Sequence, residues 1–152
     1  MEQFTQLKNE QDYLDFASRT NGLHDGHIIS ADYRKSVRIV ECNHYVHHMP
    51  DLTLKILVTS MKDHPVVELK FSGVRDMRIH GGFGDIFGFT MKWGTMNNLL
   101  HEPYVQWCTE REFDWENHSM ETNPSTTYVI ACDAEWRFTG EYYDADNAKE
   151  IQ

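Results

Sequence analysis

No apolar run in this chain approaches the roughly 18 residues that a membrane-spanning helix needs. The opening MEQFTQLKNEQDY has neither a basic n-region nor an apolar h-region. The expected compartment is therefore the cytoplasm, without a membrane partner. Cysteine is scarce: Cys42, Cys108 and Cys132 form no CxxC pair, and an odd count fits reduced thiols rather than a disulfide framework. Basic residues are few as well. Lys and Arg total 14 against 24 Asp and Glu, giving a net charge of −10 that repels nucleic-acid phosphates and anionic lipid. Nucleic acid is excluded as a partner on this reading, and a basic protein suits the charge. There is also no GxSxG elbow, internal repeat, linker or low-complexity block.

What is present is a chain of 152 residues, 40 % hydrophobic and 25 % charged, which fits one domain over 1–152 with a core of its own. Four Trp, seven Tyr and eight Phe favour pleated surfaces. The centre is the stretch from Leu52 to Ile79. Leu54, Ile56 and Val58 alternate with Thr53, Lys55 and Thr59, and Val67, Leu69 and Phe71 with Glu68, Lys70 and Ser72, the period of half-buried antiparallel strands. Met61 to Pro65 has the length and the Asp and Pro chemistry of a hairpin loop between them. Gly73 breaks the second run and marks a bulge or bend, so Phe71 to Ile79 reads as one strand turning a corner.

Asn9 caps a short N-terminal helix whose apolar side is Tyr13, Leu14, Phe16 and Ala17, and Asn21-Gly22 stops it. His27 to Tyr33 reads as a strand, Arg34-Lys35-Ser36 as a turn, and Val37 onward as a second strand ended by Met49-Pro50-Asp51. Gly81 to Asp85 lacks the Lys and the following helix of a phosphate loop and reads as a turn. Phe87, Phe89, Met91 and Trp93 alternate strictly, as a strand would. Met96 to Leu100 has room for one helical turn. Val105 to Trp115 puts Val105, Trp107, Phe113 and Trp115 on one face. Residues 116–125 read as a mobile loop and 144–152 as a solvated tail. Thr126 to Tyr143 is a strand long enough to require a bend or a break. The expected fold is mainly β (α+β): an antiparallel sandwich, or a strongly curled sheet or half-barrel, of seven or eight strands with one helix. Its edges need protection, by a covering helix or by edge pairing in a homodimer.

Three sets of residues are chemical candidates. Glu110, Glu112 and Asp114 lie on one strand face and Asp133, Glu135 and Glu141 on another; if the two strands pair, they form an acidic face that would steer a basic protein into contact. His24 and Asp25 resemble a catalytic pair, but no nucleophile accompanies them and the turn chemistry of Asp25-Gly26 accounts for them structurally. His44 and His48 share a strand face and are the alternative metal ligands, although their spacing with His47 fits no zinc signature. No cofactor and no catalytic residue is assigned. A second reading is a small-molecule binder or metal-dependent enzyme whose pocket uses Trp93, Trp107 and Trp136 with nearby histidines.

The helix, the Leu23-His24-Asp25-Gly26-His27-Ile28 entry to a strand, and the hairpin ending in Glu68 to Val74 together resemble small bacterial β-rich proteins with an "hDs"-type motif. Several of these are grouped with the immunity proteins of polymorphic toxin systems. Gly26 stands where that pattern prefers Ser. The resemblance spans the first half of the chain and implies a cytosolic β-rich protein without enzymatic activity that either binds and blocks a toxin or, like other members of that group, has no assigned role.

Overall fold

Asn9 sets the first element in place. Its backbone is extended and its side-chain oxygen accepts from the Asp12 N–H at 3.0 Å, which satisfies one of the donors a helix start leaves open. Helix α1 then runs Glu10–Arg19 and buries Phe16 completely. It ends on Asn21 and Gly22, both at positive φ (52° and 64°), as the Asn-Gly pair predicts. Leu14 does not join the apolar side: it is 50 % exposed.

The structure is a computed structural model that describes residues 2–40, 45–80, 86–95, 101–110 and 126–143, with the backbone alone described at 36–40 and 45–49. The turn expected at Gly81 to Asp85, the helical turn at Met96 to Leu100, the 116–125 loop, the 144–152 tail, and His44, Glu112 and Asp114 lie outside these residues.

Among the described residues seven strands form one antiparallel sheet: β1 (Thr5–Gln6), β2 (Gly26–Val40), β3 (Tyr45–Val58), β4 (Pro65–Arg78), β5 (Thr90–Thr95), β6 (Pro103–Cys108) and β7 (Tyr128–Tyr142). The order is β2-β3-β4-β7-β6-β5, with β1 added to β7. Gly26 and Ile86 exchange two backbone hydrogen bonds, Gly26 N–H to Ile86 O at 3.3 Å and Ile86 N–H to Gly26 O at 2.8 Å. They tie the first strand of the sheet to the segment leading into the last. The sheet is thus the curled form of the two expected, with α1 and the rings of Phe16, Phe71, Phe89, Trp107 and Trp136 in its single main core.

Arg34-Lys35-Ser36 is not a turn. These residues stay in β2, opposite Asp51, Pro50 and Met49. None of the three demands a turn conformation, so continuous pairing with β3 prevails. Pro50 likewise sits inside β3; pairing with β4 starts only at Asp51↔Ser72, so no second neighbour needs the missing N–H.

The hairpin between β3 and β4 is where the alternation predicts it, and Gly73 performs the expected bend. Its φ is +65°, and the inward positions change from Val67, Leu69 and Phe71 to Val74 there. β7 changes with it: Val129 and Ala131 face the main core before Cys132, and Ala134 and Trp136 after it. The long last strand is therefore unbroken, but its two halves turn opposite parities inward. Tyr128 and Ile130 pack with Cys108 in a second small cluster.

Two glycines carry this geometry. A Cβ on Gly26 would lie 2.7 Å from Leu23 O and 3.1 Å from Ile56 Cγ2, and one on Gly73 would meet Cys132 at 3.1 Å in a backbone conformation that disfavours side chains. Gly26→Ala and Gly73→Ala should each lower the unfolding free energy by about 1–3 kcal/mol in urea titrations. Gly22→Ala, with nothing within 4 Å of its Cβ, carries only the φ strain and should lose less than Gly26→Ala.

Candidate binding surface

Ile86 is anchored by its bridge to Gly26 and Thr90 by the start of β5, so residues 87–89 span two fixed points outside any strand. Side-chain alternation lapses there. Phe89 turns inward, 8 % exposed, against Phe16 (ring centroids 5.1 Å) and Trp107 (6.3 Å). Phe87, expected on the same side, is 74 % exposed. Tyr13 of α1 meets Phe89 edge-on at 5.4 Å and donates its phenol hydrogen to Phe89 O at 3.0 Å. On the opposite side Thr109 is held by Thr127, through Thr109 N–H to Thr127 O at 3.0 Å and Thr127 N–H to Thr109 Oγ1 at 3.2 Å, which places Glu110 just past the end of β6.

Between these groups lies a hollow of about 460 Å³ lined by Tyr13, Phe87, Gly88, Phe89, Thr90, Thr109 and Glu110. It has aromatic walls and one carboxylate. That combination suits a Lys or Arg side chain, whose apolar stem lies along rings while its cation meets the acid.

Burial pushes the Tyr13 phenol above its ordinary range, with the Cys108 and Glu10 charges adding to the effect. Burial likewise raises the Cys108 thiol and the Tyr128 phenol, the latter also facing Asp76 at 3.3 Å. All three groups favour the protonated form in the fold. Their contribution is complete below the unfolded-state values, 9.0 for the thiol and 10.0 for the phenols, and is lost as pH rises through the higher folded values. Unfolding midpoints should therefore fall above pH 9, and Tyr128→Phe should flatten that fall.

The expected acidic face is not brought together among the described residues. Antiparallel pairing sets Cys108 opposite Tyr128, so Glu110 runs past the start of β7 while Glu135 lies seven residues along it, about 23 Å from that start at strand spacing. Glu135 accepts from Gln6 Nε2 at 2.7 Å and has Lys70 Nζ at 3.8 Å. Glu141 faces Lys55 at 3.5 Å, and Glu68 meets Arg137 at 2.9 Å. Asp133 is exposed opposite Ser72. The outer face around Glu135 is thus a lattice of alternating charge, with the Phe4 ring beneath the Arg137 guanidinium at 4.1 Å.

His24 Nδ1 lies 3.2 Å from Asp25 Oδ2, both about half exposed. Asp25 O accepts from Thr59 N–H at 3.3 Å and Thr59 Oγ1 at 2.7 Å, so the motif ties the turn to the end of β3. His48 stands opposite Val37 in the backbone register. Among the described residues no three His, Cys, Asp or Glu side chains gather as metal ligands would. Trp107 and Trp136 fill the core, and Trp93 Nε1 donates to Leu7 O at 3.2 Å. No helix among the described residues is long and apolar enough to cross a membrane. Compared with protein-family models, with curated proteins and with solved structures, the chain matches none.

Proposed function

We propose that this chain is a non-enzymatic, cytosolic binding protein of the immunity type, which neutralises a basic toxin by receiving a Lys- or Arg-bearing segment in the hollow beside Phe87. The observation that carries this reading is the Phe87 ring, three-quarters exposed beside Tyr13 and Glu110. A large aromatic left in water at the rim of a preformed hollow fits the anchor residues of protein interfaces. The net charge of −10 supports a basic partner and would speed its encounter. The resemblance carried by Leu23 to Gly26 and Glu68 to Val74 supports the toxin. Free Cys108 and Cys132 thiols suit a reducing compartment.

The test is the product of the gene beside this one. Titrated into this chain in a calorimeter, it should bind with saturable stoichiometry, weaken as salt rises, and lose toxicity in cells that carry both genes. Full toxicity with no binding heat would refute the reading.

A further inference from the structure

Among the described strands β2 is the terminal one of the sheet. β3 covers one side of it along its length, and on the other side its tie among the described strands and bridges is at Gly26–Ile86. Every residue from Ser30 to Lys35 is exposed, on both faces of the strand, so this stretch stands clear of the core. A free edge of this length presents a row of backbone groups to another strand.

The side chains indicate which strand. Tyr33 is 48 % exposed, and its neighbours Asp32 and Arg34 form an ion pair at 3.0 Å with side chains 54 % and 79 % exposed. We propose that β2 pairs antiparallel with β2 of a second copy about a two-fold axis through Tyr33. In that register Asp32 of each copy faces Arg34 of the other, so the opposite-charge pair is made twice. Ala31 faces Lys35, and Ser30 faces Ser36. No like charges meet.

Symmetry narrows the choice further. A two-fold perpendicular to the sheet keeps each face on its own side, so it must pass through a residue facing its own copy. Moved one residue either way, it sets two Asp32 carboxylates or two Arg34 guanidiniums face to face, which is unfavourable for directly opposed strand positions. The axis through Tyr33 is the one of these three that sets opposite charges against each other, and the second copy is the occupant they fit. This inference is independent of the hollow at Phe87, which lies on other residues.

The test is the mass in solution by sedimentation equilibrium, from micromolar to millimolar protein. The wild type should rise from 17.9 kDa toward twice that mass. Asp32→Arg and Arg34→Asp should each remain monomeric, since each sets like charges against like. An equimolar mixture of the two variants should dimerise, because the cationic strand of one then faces the anionic strand of the other. Circular dichroism confirms that both variants fold. A wild type that stays monomeric throughout, single variants that dimerise as the wild type does, or a mixture that stays monomeric would each overturn the proposal.

Discussion

Trp136→Ala is expected to lower the unfolding free energy by about 3–5 kcal/mol, the upper range for removing a large core side chain. Trp136 is 2 % exposed and sits where four elements meet. It pairs with Leu69 of β4 and Thr5 of β1, stacks on Phe16 of α1 at 4.6 Å, and lies under the Arg19 guanidinium at 4.9 Å. Its loss leaves a cavity between the sheet and a helix of ten residues, which alone would be marginal in water and depends on that docking. The chain should therefore lose denaturant midpoint and show an early loss of helical signal. Trp136→Phe keeps a ring against Phe16 and should recover much of the difference. A loss below about 1.5 kcal/mol for the alanine variant would mean that α1 is held elsewhere.

The class of fold was legible because side-chain alternation is a local property. Leu54, Ile56 and Val58, with Val67, Leu69 and Phe71, place the central hairpin without reference to anything distant, and Gly73 marks its own bend. What alternation could not show is where parity changes. Tyr128, Ile130 and Cys132 alternate with Val129 and Ala131, and both sets are apolar, so either could face the main core. The choice is made by Gly73, which packs on Cys132 across the β4–β7 ladder. Strand length was equally hidden. Arg34-Lys35-Ser36 has the polarity of a turn, but polarity also suits an exposed strand edge, and only the partner residues in β3 decide between them. The carboxylates show the same limit: Glu110 and Glu135 share a pattern in sequence, and antiparallel pairing carries Glu110 past the start of β7 while Glu135 stands at its middle. The hollow was half visible. Glu110 stood out by its charge, but Phe87 looked like one more inward ring, because the bridge from Gly26 to Ile86 that interrupts the strand joins residues far apart in the chain.

On the binding function proposed above, Phe87→Ala should weaken binding to the product of the neighbouring gene by about 2 kcal/mol, near 30-fold in Kd, while leaving the unfolding free energy within about 0.5 kcal/mol of wild type. The ring is 74 % exposed, so the fold has little to lose with it, whereas a partner that covers it buries most of that area for the first time. Glu110→Gln removes the charge without changing the shape of the hollow. It should also weaken the complex, and its effect should shrink as ionic strength rises, because a rim ion pair is screened by salt and an apolar contact is not. Combined, the two losses should fall short of additive, since on the proposed reading the aliphatic stem and the cation belong to one inserted side chain. Two variants that bind as wild type does would remove the hollow from the interface, and a salt-independent Glu110→Gln would remove the cation.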